Sequence, residues 1–274
     1  MQAKAIMEHI RQLGANIDPE LCDPDDGVYR VDPDWPAPDR FIFGNPEIKV
    51  TGIAVAWMAT NKVLRQVAQR GHNLFVVHEP GFYQGGGYEN MSLIKRLTQE
   101  KMDLLDKLGL TLIRFHAWDR TPDVGILDTW ADLFGFETEP RDMLSYHKIC
   151  LVGDMTVEQL SRHVLEKVRS YGQDTLMVWG NKKKRVSRMG VGTGAITQFP
   201  AMYELGADVC LATDDGYRFY APQASLDMDV PALVVNHATS ELPGMKSMAS
   251  CFGKTFSPLP VEYFDVEFPY QTIH

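Results

Sequence analysis

The alternation of apolar and polar positions opens on a helix. Ile6, Met7, Ile10 and Leu13 recur at helical spacing between residues 3 and 14, and Gly14 supplies a stop. Residues 18–38 are rich in Asp, Pro and Gly and read as an irregular surface loop. Two apolar runs follow, Val50 to Trp57 and Leu74 to Val77, each continuous rather than alternating, as in strands buried on both faces. Between them, residues 61–71 carry Val63, Leu64 and Val67 on one face and close on Gly71. A strand, a helix and a strand in that order imply parallel pairing and a right-handed crossover. Gln84 to Gly87 is a glycine-rich loop without the Gly-Lys-Ser/Thr of a phosphate loop. Residues 90–108, with Leu93, Ile94, Leu97, Leu104, Leu105 and Leu108, form a helix ended by Gly109; residues 110–115 form a strand and 128–136 a helix.

The pattern then begins again. Residues 148–152 read as a strand, and Thr156 with Gln159 forms a capping box for a helix running to Arg169. Residues 175–179 and 186–191 are strands, and Lys182-Lys183-Lys184-Arg185 between them is a solvated hairpin tip. Gly192-Thr193-Gly194 leads into a helix interrupted by Pro200 and ended by Gly206. Strands at 208–212, 232–235 and 261–268 and a helix over 241–251 complete the chain. The expectation is an α/β protein of two lobes, 1–136 and 137–274.

Three strands end in groups that bind metals: His78 with Glu79, His116 with Asp119, and His237 with Glu241. In open α/β sheets ligands gather at the carboxyl ends of strands. A solvated turn explains any one such pair, but the chain has only eight histidines. Imidazoles and carboxylates from several strand ends suit a divalent transition metal, or two ions sharing a carboxylate. His237 and Glu241 stand four apart, so at a helix start they share a face.

Composition narrows the partners. Hydrophobic residues make up 45% and charged residues 23%, as in globular proteins, and the net charge is −9. That balance argues against nucleic acid, which needs Lys/Arg patches. No segment approaches the ~20 apolar residues of a membrane helix. Met1-Gln2-Ala3-Lys4 lacks the apolar core of a signal peptide. Cys22, Cys150, Cys210 and Cys251 show neither a CxxC spacing nor a disulfide framework, so the expected setting is a reducing cytoplasm.

Taken in order, Val77-His78-Glu79-Pro80, His116-Ala117-Trp118-Asp119, Ile126-Leu127-Asp128, Gly190 to Gly194, Gly206-Ala207-Asp208-Val209, Thr213-Asp214-Asp215, and Asn236-His237 with Glu241 resemble the motifs of the Nif-three-like dinuclear metal-centre family, also labelled GTP cyclohydrolase type-two-like. The resemblance runs from about Val50 to the end. It implies two similar α/β lobes facing each other across a cleft, a two-metal site and a homohexamer built as a trimer of dimers. Carried over by position, it makes His78, Asp119, His237 and Glu241 ligands, with Glu79 where the family has a second histidine.

Two departures matter. Glu79 brings an anionic oxygen in place of a neutral nitrogen, which favours manganese, magnesium or iron over zinc, or else marks the loss of one ion. The separation of His116 from Asp119 is three residues where the family has four. Either the turn is one residue shorter or Asp119 is not the equivalent ligand. His116 reads as an orienting group or an inter-lobe hydrogen-bond partner rather than a ligand. Gly190 to Gly194 is a tight strand-to-helix turn or an anion cradle. Trp118 and Tyr220 are aromatic packing or a stacking surface. Asp208, Asp214 and Asp215 tune the site or form turns.

The function expected is a divalent-metal-dependent, hydrolase-like enzyme with one or two ions per chain (Mn, Fe, Mg or Zn) and a small nucleotide-like or pterin-like substrate. The alternative is a non-catalytic ring protein for metal handling or protein interaction. No catalytic residue is singled out.

Overall fold

The computed structural model describes residues 1–14, 39–83, 90–142, 145–216, 220–267 and 273. The loops expected at 18–38 and 84–87, and Cys22, lie outside them. The chain divides into two compact units, each built on its own sheet. The first comprises Met1–Thr121 and Met245–Val266, the second Pro122–Gly244 and Glu267–His274. The division therefore falls earlier than residue 136, and the chain returns to the first unit near its end.

In the first unit, the described residues form a helix α1 (Ala3–Gly14), strands β1 (Arg40–Phe43) and β2 (Ile53–Ala56), helix α2 (Asn61–Gln69), strand β3 (Leu74–Val77), helix α3 (Ser92–Leu108) and strand β4 (Thr111–Arg114). The sheet order is β1-β4-β3-β2, extended by the last strand of the chain, Val261–Tyr263, beside β2. Except for β1, which runs antiparallel to β4, neighbouring strands are parallel. Their residues are buried throughout (IAVA, LFVV, TLIR), as continuous apolar runs require of strands covered on both faces. Thr60 caps α2, its hydroxyl oxygen accepting from the Val63 N–H at 3.2 Å, and Val63, Leu64 and Val67 form the buried face. Gly109 ends α3 in the left-handed conformation, φ 65°. Val77 pairs with Arg114, so the residues after β3 and β4 leave the sheet side by side.

The second unit contains helix α4 (Ile126–Leu133), strands β5 (Glu137–Thr138) and β6 (His147–Thr156), helix α5 (Val157–Val168), strands β7 (Met177–Trp179) and β8 (Arg185–Gly192), helix α6 (Phe199–Glu204), strand β9 (Val209–Thr213), helix α7 (Tyr220–Asp227) and strand β10 (Ala232–Val235). Helix α8 (His237–Thr255) then carries the chain across the division, and β11 (Val261–Tyr263) closes the first sheet. The second sheet has the order β5-β6-β8-β9-β10-β7, with β8, β9 and β10 parallel. Along β9, Val209 and Leu211 face one core with Trp130, Leu160 and Val164, while Cys210 and Ala212 face another with Phe199 and Met202. The capping box is present: Thr156 Oγ1 accepts from the Gln159 N–H at 3.2 Å, and Gln159 Oε1 accepts from the Thr156 N–H at 2.9 Å.

Three expectations are corrected. Strands β7 and β8 do not form a hairpin: β7 runs antiparallel to β10 at the sheet edge, and β8 lies between β6 and β9. The basic run is a turn whose members find separate acids, Lys184 near Asp229 and Arg185 on Asp154. Pro200 does not interrupt a helix but sits in the first turn of α6, where a missing N–H costs nothing. Helix α8 begins at His237, four residues earlier than the hydrophobic pattern indicates. Among the described residues, no helix is long and apolar enough to cross a membrane.

Candidate metal centre

The register of β3 and β4 delivers His78 and His116 together at the carboxyl edge of the first sheet. Their rings stack with centroids 4.5 Å apart and planes 10° from parallel. His78 is fully buried, and its Nδ1 lies 3.3 Å from the Phe115 carbonyl oxygen. A carbonyl only accepts, so Nδ1 carries a proton, and in the neutral form of the ring Nε2 would present a lone pair. That nitrogen stands 3.3 Å from Asp119 Oδ1. In the neutral form the lone pair and the carboxylate oxygen would face each other with both side chains buried. A proton on His78 Nε2 resolves the approach as an imidazolium–carboxylate ion pair, and so does a cation held between the two atoms. The donor set, imidazole nitrogen with carboxylate oxygen, fits a divalent metal.

The three-residue spacing of His116 and Asp119 has a local cause. Ala117–Arg120 is a 3₁₀ helix with His116 at its N-cap, so residues three apart eclipse. His116 Nδ1 comes to 3.8 Å from Asp119 Oδ2. One donor atom each from His78, His116 and Asp119 lies within 4.8 Å of the others. Desolvation of the partly buried His116 ring pushes its imidazole down to about 3, helped by the charge of Arg114. Burial alone would raise the Asp119 carboxyl, but the attraction of His78 and His116 in their charged forms, with a hydrogen bond from His78, outweighs it and holds the group below its ordinary value.

Two further residues shape this edge, and sequence reasoning missed both. Asp39 is buried, and its Oδ1 accepts from the backbone N–H of His116 at 2.7 Å and of Ala117 at 2.9 Å, anchoring the start of the 3₁₀ turn. Burial raises its carboxyl to about 6 against those hydrogen bonds. Arg114, last in β4, donates from Nε to the His78 carbonyl at 2.9 Å and brings Nη2 to 3.9 Å from Glu79 Oε2. An aspartate before a short strand and an arginine inside one carry no spacing signal.

In the second unit, His237 opens α8 and Glu241 follows one turn later on the same face, with His237 Nε2 3.0 Å from Glu241 Oε1. The other ring nitrogen lies 2.6 Å from Asp215 Oδ2, the carboxylate–imidazole pairing that orients metal-bound histidines. Burial works to raise the Asp215 carboxyl, and the His237 contact outweighs it to give a net lowering. Asp214 accepts from the His237 N–H at 3.1 Å and from Asn236 Nδ2 at 3.0 Å. Gly194 has φ +57°, and a Cβ there would come within 2.5 Å of Glu241 Oε1 and 3.0 Å of His237 Nε2.

The remaining candidates resolve toward structure. Asp208 accepts from the backbone N–H groups of Ser187 and Arg188, both at 2.9 Å, tying down β8. A Cβ on Gly190 would meet Met202 Cβ at 2.8 Å, so that glycine serves the close approach of α6. Trp118 is buried against Phe115 and Phe252. Tyr220 is half exposed and lines a cavity of about 230 Å³ with Phe199 and Pro200.

An α/β chain with buried imidazole–carboxylate groups at its strand ends is a candidate metal-binding protein. Residues 41–268 match the family described as Duf34/NIF3 (NGG1p interacting factor 3), and the chain belongs to it. It is 23% identical over 209 residues to a "GTP cyclohydrolase 1 type 2 homolog" of Clostridium perfringens, spanning 73% of this chain and 77% of the relative. Among solved structures it resembles protein ybgI, of unknown function, with a TM-score of 0.78 at 15% identity over 98% of this chain and 100% of that one. It also resembles a Bacillus cereus protein related to NIF3, with a TM-score of 0.75 at 12% identity over 100% and 99% of the two chains. Both structural likenesses show the fold.

Proposed function

We propose that the protein is a divalent-metal-dependent, hydrolase-like enzyme acting on a small nucleotide-like or pterin-like substrate, with His78, Glu79, Asp119, His237 and Glu241 as its ligands. The observation that supports the metal is the buried cluster of His78, His116 and Asp119, one donor atom of each within 4.8 Å of the others and His78 Nε2 3.3 Å from Asp119 Oδ1. The substrate class follows the name of the Clostridium perfringens relative. A bound divalent ion would supply Lewis-acid polarisation of a carbonyl, phosphoryl or ring-carbon electrophile and acidify water.

The chain's own groups set that chemistry up. The Phe115 carbonyl and Asp215 fix the Nδ1 protons of His78 and His237, which leaves Nε2 of each ring for ligation. Glu241, buried beside His237 Nε2, contributes an anionic oxygen. Glu79 holds the metal or carries a proton, its charge partly offset by Arg114. A set of three carboxylates and two imidazoles takes manganese, iron or magnesium ahead of zinc, with one or two ions per chain. The homohexamer that the family resemblance implies would give a light-scattering mass about six times the 30.9 kDa chain mass.

The test is elemental analysis of purified protein, followed by turnover assays against nucleotides, phosphodiesters and cyclic amides with manganese, iron and zinc. The expected result is one or two ions per chain, lost on His237→Ala, and turnover with at least one metal. Inactivity with every metal bound would replace the enzyme by the non-catalytic metal-handling role. Protein that takes up no metal would remove both.

A further inference from the structure

We propose that His116 is itself a metal ligand, and that His78, His116 and Asp119 hold one ion entirely within the first compact unit. This rests on the metal-dependent reading above and goes beyond it. There His116 has no ligand role, and five residues share the ions.

Geometry assigns the role. Consecutive parallel strands place both imidazoles at one edge, stacked at 4.5 Å, and the 3₁₀ turn brings the Asp119 carboxylate to both. Each oxygen of Asp119 faces a different ring, Oδ1 at 3.3 Å from His78 Nε2 and Oδ2 at 3.8 Å from His116 Nδ1. Two donors each ~2.1 Å from a tetrahedral ion stand roughly 3.4 Å apart, so these separations are close to those around a shared cation. The independent observation is the burial of Asp119, a carboxylate on a side chain 7% exposed whose two oxygens each face an imidazole ring. A buried carboxylate between two imidazoles is a donor set that a divalent cation neutralises.

The turn is also held from outside the donor set. Asp39 clamps the N–H groups of His116 and Ala117, so the backbone carrying His116 is fixed without using its ring. His116 keeps a side chain 34% exposed, which gives an ion at this triad a path to solvent and room for an exogenous ligand. Two imidazoles and one carboxylate with open positions suit zinc, cobalt or ferrous iron better than magnesium. The site is therefore softer than the three-carboxylate set makes it.

The experiment uses the full-length chain and cobalt(II) as probe, with binding followed by equilibrium dialysis and visible absorption. Wild type is expected to bind cobalt, and His116→Ala to weaken binding by more than about tenfold, the loss expected even for a group that only orients a ligand. His116→Cys supplies the decisive readout: a sulfur-to-cobalt charge-transfer band in the near ultraviolet, which no purely structural role produces. Should that variant fail to fold or to bind, His116→Gly is loaded with and without free imidazole, and restored binding with imidazole supports ligation. Cobalt bound by His116→Cys with no such band, or His116→Gly indifferent to imidazole, overturns the assignment. If cobalt binding survives His116→Ala but is lost on His237→Ala, the five-residue reading stands and this one falls. If wild type binds no cobalt, manganese, iron or zinc, both fall.

Discussion

Gly194 occupies a backbone conformation, φ +57°, that costs an L-residue roughly 1–2 kcal/mol. Its Cα hydrogen also points at the atoms of Glu241 and His237 that would bind metal. Gly194→Ala should therefore lower stability by about 2 kcal/mol in urea unfolding. More tellingly, it should reduce bound metal by elemental analysis, because the methyl displaces Glu241 Oε1 or His237 Nε2. Metal content equal to wild type would show that the carboxylate and imidazole are not held by that contact.

Lys101 makes a pH prediction at the same scale. Its ammonium is buried, donates to the Ala59 carbonyl at 2.8 Å and the Gly81 carbonyl at 3.1 Å, and lies 4.3 Å from the centre of the Tyr83 ring. Burial lowers it from 10.5 to about 8. Between those values the unfolded chain holds the proton that the folded chain has released, so stability rises with pH across that window and levels off above it. Lys101→Met lacks the group, so the wild-type advantage over the variant should grow by up to ~3 kcal/mol from pH 8 to 10.5 in urea titrations. A pH-independent difference would show that the amine keeps its ordinary affinity for the proton.

At the scale of elements, Asp128 joins α4 to the segment entering β6. Its carboxylate accepts from Arg141 Nε at 3.2 Å and Nη2 at 3.0 Å, from Lys148 Nζ at 2.9 Å and from the Asp123 N–H at 3.0 Å. Burial works to raise its carboxyl, but Arg141 and Lys148 prevail and hold it below its ordinary value. The stability it contributes is thus present above the unfolded value and is lost as pH falls through the lowered one. Asp128→Ala would leave Arg141 and Lys148 near the interior without their anion and should cost about 3 kcal/mol, read from the denaturation midpoint. Element boundaries were legible where punctuation is chemical, as at Thr156 with Gln159 and at Gly109. They were not legible where tertiary pairing decides. Strand β7 leaves its sequence neighbour for β10, and no local signal distinguishes that from a hairpin. Strand β1 has four residues, and α7 has little amphipathic contrast, so both escaped notice.

For the whole molecule, the two-sheet α/β architecture followed from continuous apolar runs alternating with helices, because strands covered on both faces leave no polar alternation to confuse them. The candidate site was legible as residue types at strand ends. Its supporting contacts were not, since Asp39 and Arg114 act through register rather than spacing. An ion that binds only the folded chain raises its stability by ~2.7 kcal/mol when free ligand stands at about 100 times Kd. Tm should therefore climb with added manganese or cobalt and fall in chelator, by differential scanning fluorimetry. A Tm indifferent to both would separate the fold from metal altogether.

The first sheet is finished last. Strand β11 lies parallel to β2, Val261 beside Ile53, although Pro122–Gly244 of the second unit intervenes in the sequence. A ribosome emitting this chain at roughly 5–20 residues per second would hold β2 as an open apolar edge for many seconds before its neighbour emerges. Such edges recruit foreign strands. Nascent chains arrested ahead of Val261 should thus depend on chaperones, while the strand ends bearing His78 and His116 have long since left the exit tunnel.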